Sequence, residues 1–220
     1  MGSMITLKAD DGQSLSAYLA EAEGIPKGGI VIIQEIFGVN IHIKDVCDRY
    51  AKLGYTAIAP ALFDRIEPNI DLDYDSAGVD RGRELKGLSL DDPALKDIAA
   101  ARDHISGAGT ITVIGYCWGG TLAYLAACRL SGISKAIGYY GGGIAASKDE
   151  VPQIPTMLHF GDQDASIPMT DVDAIMNARP ETVIHIYQAG HGFNCDRRAS
   201  YNAEATKLAL KRSLDFITGA

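Results

Sequence analysis

A thiol, a carboxylic acid and an imidazole follow one another along this chain, each just past an apolar run. The thiol is Cys117, in Ile111-Thr112-Val113-Ile114-Gly115-Tyr116-Cys117-Trp118-Gly119-Gly120-Thr121-Leu122-Ala123. An apolar, β-branched run ends in Gly-x-Cys-x-Gly-Gly, and a small-residue helical pattern starts at once. That order reads as a strand, a turn tight enough to need glycines, and a helix. The central residue of such a turn projects from the strand's C-terminal end, beside a helix N-terminus. The free N–H groups and macrodipole there favour negative charge. A cysteine so placed tends towards thiolate. The layout is a nucleophile elbow with cysteine in the place of serine. A buried structural cysteine at a strand end is the plainer alternative, and the flanking glycines weigh against it.

The acid comes from Gly161-Asp162-Gln163-Asp164 and the imidazole from Gly190-His191-Gly192-Phe193, each after a further apolar run. The chain order nucleophile, acid, histidine is that of α/β-hydrolases. In this arrangement Cys117 attacks an acyl carbon. His191 takes the thiol proton, returns it to the leaving group and activates water. The acid fixes the histidine tautomer. Asp164, at the loop tip, is favoured over Asp162, which can serve to cap a turn. The backbone N–H groups of Trp118 and Ile36 are the expected oxyanion donors. His42, His104, His159 and His185 lie in predicted helices and strands and read as packing or surface residues, as do Cys47 and Cys128. Glu35 directly follows a buried strand, where a carboxylate is costly unless paired. It is either one half of an ion pair, with Arg65 or Arg83, or a second carboxylate that controls the protonation of Cys117.

The elements that must position these groups can be read in order. Ile5 to Ala9 and Leu15 to Ala20 alternate as strands around an Asp10-Asp11-Gly12 hairpin turn. Ile30 to Gln34 and Tyr55 to Ala59 are continuous apolar runs, as expected of strands buried on both faces. Between them, Asn40 to Leu53 has helical spacing, with Asn40 as N-cap and Gly54 beyond its end. Residues 61 to 93 show no clear period and read as a long loop with a short helix over Arg81 to Leu88. Asp91-Asp92-Pro93 opens a helix that runs to about Ser106. Trp118 to Leu130, Asp171 to Ala178 and Tyr201 to Ile217 are the later helices. Lys135 to Tyr140, Pro155 to Phe160 and Thr182 to Tyr187 are the later strands. This alternation predicts an α/β fold with a mostly parallel central sheet and helices on both faces. Ligands then bind outside the carboxyl ends of the strands.

The 220 residues suit a single domain, residues 4–220, and Met1-Gly2-Ser3 reads as an expression scar outside it. A net charge of −8 argues against nucleic acid and anionic membranes as partners. No apolar run reaches the roughly 18 to 20 residues of a membrane span. The four cysteines show neither a C-x-x-C pair nor metal-ligand spacing, so no metal, no cofactor and no disulfide framework is expected, and a cytoplasmic location fits. Nothing in the sequence demands more than a monomer.

Taken together, Gln34-Glu35-Ile36-Phe37-Gly38-Val39-Asn40, Gly115-Tyr116-Cys117-Trp118-Gly119-Gly120, Gly138-Tyr139-Tyr140-Gly141, Gly161-Asp162-Gln163-Asp164 and Gly190-His191-Gly192-Phe193 resemble the dienelactone hydrolases. The resemblance implies an α/β-hydrolase fold and a Cys117, His191, Asp164 triad. It implies that Glu35 keeps Cys117 a poorly reactive thiol until substrate moves the carboxylate to take its proton. It also implies a small unsaturated lactone bearing a carboxylate as substrate, opened to a keto diacid in chloroaromatic breakdown. Two arginines would hold that carboxylate, since bidentate guanidinium contacts suit it. Arg81 resembles the first. The second is expected four residues past the histidine, where this chain has Cys195 and its arginines come later, at Arg197 and Arg198. Arg81, Arg197, Phe37 and Tyr140 are the expected substrate-facing residues. Trp118 is a second departure, bulky for its position. A general carboxylesterase or thioesterase with the same triad is the alternative enzyme, and a thiol redox or sensor protein the alternative from another class.

Overall fold

Residues 1–220 are described by a computed structural model, in which eight strands form one sheet and six helices pack around it. The strands are β1 (Ser3–Lys8), β2 (Ser14–Ala20), β3 (Gly29–Ile33), β4 (Thr56–Pro60), β5 (Ile111–Tyr116), β6 (Lys135–Tyr139), β7 (Thr156–Gly161) and β8 (Val183–Tyr187). Their order across the sheet is β1-β2-β4-β3-β5-β6-β7-β8. β1 and β2 pair antiparallel, as do β2 and β4, and every later neighbour is parallel. Ile30 to Ile33 are wholly buried, so both faces of the central sheet are covered. That is why β3 and β5 are apolar without alternation. Residues 2 and 3, expected to lie outside the fold, belong to it. Ser3 opens β1, and the Gly2 N–H donates to Tyr18 and to Asp48, each at 2.9 Å.

The helices are α1 (Ile41–Lys52), α2 (Ser76–Leu88), α3 (Asp91–His104), α4 (Trp118–Arg129), α5 (Met169–Ala178) and α6 (Ala203–Thr218). Asn40 caps α1, its side chain accepting from the Ile43 N–H at 3.3 Å, and Ile43, Val46 and Tyr50 form the buried stripe. The largest departure from expectation is α2, which starts five residues before Arg81. Asp75 is its N-cap and accepts from the Gly78 N–H at 2.7 Å. Gly78, Gly82 and Leu85 are its buried face, so the usual apolar stripe is mostly glycine and the helical period is hard to see. Ten of the twelve α4 residues are buried, and its Gly and Ala content lets it lie close to β5 and β6. No helix is long and apolar enough to cross a membrane.

Candidate active site

The site is built at the carboxyl ends of β3, β5, β7 and β8. Cys117 joins β5 to α4 at φ +54°, in the left-handed region that costs an L-residue roughly 1–3 kcal/mol. The turn is held by the Cys117 N–H donating to the Tyr139 carbonyl at 3.0 Å. Its glycines are needed for close approach. A Cβ on Gly115 would strike the Gly119 carbonyl, and one on Gly119 would strike the carbonyls of Ile33 and Gln34. The strain and the crowding together hold the sulfur at the mouth of the sheet. Trp118 turns its ring into the core, stacked on Phe63 at 5.3 Å between centroids, so its bulk leaves the turn unobstructed.

His191 reaches this sulfur. Its Nε2 lies 3.2 Å from Cys117 Sγ, and its Nδ1 lies 2.7 Å from Asp164 Oδ2. The second Asp164 oxygen accepts the Ser166 N–H at 2.8 Å, and Ser200 donates to the His191 carbonyl at 2.6 Å. The structure thus brings Cys117, His191 and Asp164 into one hydrogen-bonded line, while Asp162 is exposed. Burial alone pushes the His191 imidazole down. The hydrogen bonds to Asp164 and Cys117 outweigh it and lift the group to about 10. The backbone N–H groups of Ile36 and Trp118 have no hydrogen-bond partner in the protein. Both residues line, with Cys117 and His191, a cleft of about 580 Å³.

The carboxylate beside this cleft is held differently from expectation. Glu35 is 1% exposed. It accepts from Arg198 at 3.0 Å on Oε1 and from the Tyr74 hydroxyl at 2.8 Å on Oε2. Neither expected partner is involved. Arg65 is spent on Asp97 and Asp11, and Arg83 lines the cleft. No hydrogen bond joins Glu35 to Cys117, whose sulfur faces His191 instead. In this structure the carboxylate is turned to Arg198 and Tyr74 and the sulfur to His191.

Two expected arginines lie elsewhere. Arg81 points away from the cleft and is bound by Glu67 and Glu84. At about 100° per residue along α2, it is half a turn from Arg83, and the cleft-facing residues are Val79, Arg83 and Lys86. Arg197 is at the surface, paired with Asp45 at 3.1 Å, and its neighbour Arg198 enters the site. Arg198 also lies over the rings of Phe37 and Tyr74, at 5.7 and 5.8 Å. Phe37 lines the cleft as expected. Tyr140 does not: it is wholly buried behind His191, with ring centroids 5.1 Å apart. Arg198, Arg83, Lys86 and Tyr74 were not singled out as substrate-facing from sequence. Arg198 sits in a stretch without periodicity, and the α2 pair depends on a helix start that glycines obscure.

Comparison with known proteins agrees with this architecture. The model of the dienelactone hydrolase family matches residues 15–220. A Synechocystis protein provisionally named carboxymethylenebutenolidase is 39% identical, with 90% of this chain and 89% of that protein covered. The Pseudomonas putida carboxymethylenebutenolidase is 32% identical, with 97% and 94% covered. A Klebsiella pneumoniae structure provisionally named dienelactone hydrolase superposes with a TM-score of 0.82 at 28% identity, covering 99% of this chain and 100% of that one. An α/β-hydrolase sheet that carries its reactive groups on these loops, and sequence relatives along its whole length, lead to one assignment: the chain is a hydrolase and belongs to the dienelactone hydrolase family.

Proposed function

We propose that the chain hydrolyses a small ester or lactone, of the carboxylate-bearing dienelactone type, through a thioester on Cys117. The observation that carries this is the line Cys117–His191–Asp164, at 3.2 and 2.7 Å, opening on a cleft with two unpaired backbone N–H groups. With the shared proton resting on His191, the Cys117 sulfur attacks the acyl carbon. The carbonyl oxygen becomes an oxyanion facing the N–H groups of Ile36 and Trp118, each such donor being worth roughly 3 kcal/mol. The C–O bond breaks as His191 returns the proton to the leaving oxygen. In a lactone that oxygen stays tethered to the acyl group. Water, losing its proton to His191, then attacks the thioester, and expulsion of sulfur restores the resting Cys117–His191 pair with that proton shared between them. Asp164 keeps Nδ1 protonated and supports the positive ring throughout.

The carboxylate-bearing substrate is supported by the cations at the cleft. Arg83 and Lys86 line it from α2 and form no ion pair, and Arg198 lines it while paired with Glu35. Relatives named carboxymethylenebutenolidase support the same class. A general carboxylesterase or thioesterase would share the triad, and the apolar contribution of Ile36, Phe37, Val79 and Ile167 to the cleft wall favours that second reading.

Replacement of Cys117 by Ala is expected to lower kcat/KM roughly 10⁴-fold or more, and mass spectrometry of quenched wild-type enzyme should show an acyl adduct at Cys117. An alanine variant with full turnover would refute the thioester route. A panel of dienelactones, neutral aryl esters and acyl thioesters separates the two substrate readings. The dienelactone class predicts the highest kcat/KM for the carboxylate-bearing lactone, and a rise in its KM of about tenfold, one lost charge-assisted contact, in Arg83→Ser.

A further inference from the structure

Next to Arg198, which lines the cleft, lies a second cluster of reactive groups. Glu35, His42 and Cys195 each present one donor atom, and the three atoms lie within 4.8 Å of one another. All three residues are buried, with His42 and Cys195 at 0% exposure. Neither ring nitrogen of His42 has a hydrogen-bond partner. A buried imidazole with both nitrogens idle is costly and calls for an explanation. Cys195 is also the position where the family resemblance leads one to expect an arginine. The structure places a soft thiol donor there, beside a carboxylate and an imidazole with no hydrogen-bond partner.

We propose that Glu35, His42 and Cys195 form a binding site for one divalent cation of borderline softness, Zn²⁺ above all. One sulfur, one nitrogen and one oxygen donor are the set zinc takes, with a fourth position left for water. His42 Nδ1 lies 3.7 Å from Asp196 Oδ1, beyond hydrogen-bond distance but near enough for the carboxylate to favour a proton on that nitrogen, which leaves Nε2 for the metal. Glu35 spends two of its roughly four acceptor positions on Arg198 and Tyr74. The cation takes a third. Tetrahedral zinc bond lengths put its ligands about 3.5 Å apart, so the side chains need close inward by no more than about 1 Å on binding. The S–H bond of Cys195 breaks, a sulfur–metal bond forms, and the proton leaves to solvent. Nothing is oxidised or reduced. Tyr74, on Glu35, also lines a surface cleft of about 400 Å³ with Asp71, Asp73 and Asp75, and with Arg197 at its rim. Asp71 is paired with Lys44, and Asp73 and Asp75 draw cations towards the cluster. A cation there shares Glu35 with Arg198 and so loosens the guanidinium at the substrate cleft, which couples occupancy to hydrolysis.

The test is a Co²⁺ and Zn²⁺ titration of the intact protein, read by electronic spectroscopy and calorimetry. One equivalent of Co²⁺ should give a thiolate-to-metal charge-transfer band with tetrahedral ligand-field bands, and Zn²⁺ should displace it. Cys117→Ala should keep the band. Cys195→Ser should lose it and bind Zn²⁺ about 100-fold more weakly, and His42→Gln should lose about tenfold. Melting curves report whether each variant is folded. X-ray absorption of zinc-loaded Cys117→Ala protein, which leaves the cluster intact, should show one sulfur scatterer and gives an answer even if Cys195→Ser fails to fold. Absence of the band, its survival in Cys195→Ser, its loss in Cys117→Ala, or a zinc shell without sulfur would each overturn the proposal. None of these readouts depends on the hydrolytic reaction.

Discussion

At the scale of single residues, the site depends on where two charges go. The His191 proton is held from both sides, by Asp164 and by the Cys117 sulfur, and the Glu35 charge is held by Arg198 and Tyr74. The second arrangement carries a stability prediction. Arg198→Met leaves a carboxylate that is 1% exposed with only a phenol for compensation. Stranding one member of a buried pair costs about 3–5 kcal/mol. Urea denaturation of Arg198→Met should therefore show a loss of that order. Glu35→Gln should cost less, because the neutral amide needs no counter-charge, and the double variant should be more stable than Arg198→Met alone. Equal losses in all three variants would mean that Arg198 stabilises the protein by packing on Phe37 and Tyr74 instead of by charge.

At the scale of elements, α2 decides what lines the cleft, and it also marks how far the sequence could be read. The sequence showed the strand–turn–helix at Cys117, the loop tip at Asp164 and the glycines around His191, because each is a local pattern with a local cause. It also showed the parallel sheet, since runs such as Ile30 to Ile33 have no exposed face to interrupt them. The phase of α2 was hidden: its buried face is Gly78, Gly82 and Leu85, so neither its start nor the split of Arg81 from Arg83 could be taken from periodicity. Glu35's true partner was hidden for another reason, since Arg198 meets it across 163 positions of chain. The glycine face gives a prediction. A Cβ on Gly82 would strike the carbonyl of Ile36, a cleft residue whose N–H has no partner in the protein. Gly82→Ala must push α2 and Ile36 apart, and is expected to lower kcat about tenfold or more by displacing the proposed oxyanion donor, while destabilising the fold. Gly87, on the same helix, has nothing within reach of a Cβ. Gly87→Ala should keep activity and stabilise by about 0.5–1 kcal/mol. Steady-state kinetics with thermal melts on both variants checks the contrast.

At the scale of the whole molecule, the histidines bound the pH range over which the fold is most stable. Burial pushes His159 far below the ordinary histidine value, and it pushes His42 down as well. His159 is held between the Tyr187 hydroxyl at 2.8 Å and Ser213 at 3.1 Å, with no carboxylate to support a positive ring. Below about pH 6.5 the unfolded chain takes up protons at these two positions that the folded chain refuses, so stability falls as pH falls. His191 acts in the opposite sense. Its folded value of about 10 exceeds the unfolded one, so its stabilisation is complete below about pH 6.5 and is lost as pH rises towards 10. The full alkaline loss is on the order of a few kcal/mol. Denaturation free energies measured from pH 5 to 10 should peak near neutrality. His191→Gln should flatten the alkaline arm and leave the acid arm in place, and His159→Gln, where it folds, should reduce the acid arm to the share of His42 and leave the alkaline arm in place. An alkaline arm that persists unchanged in His191→Gln would show that the Asp164–His191–Cys117 line holds no extra proton in the resting enzyme.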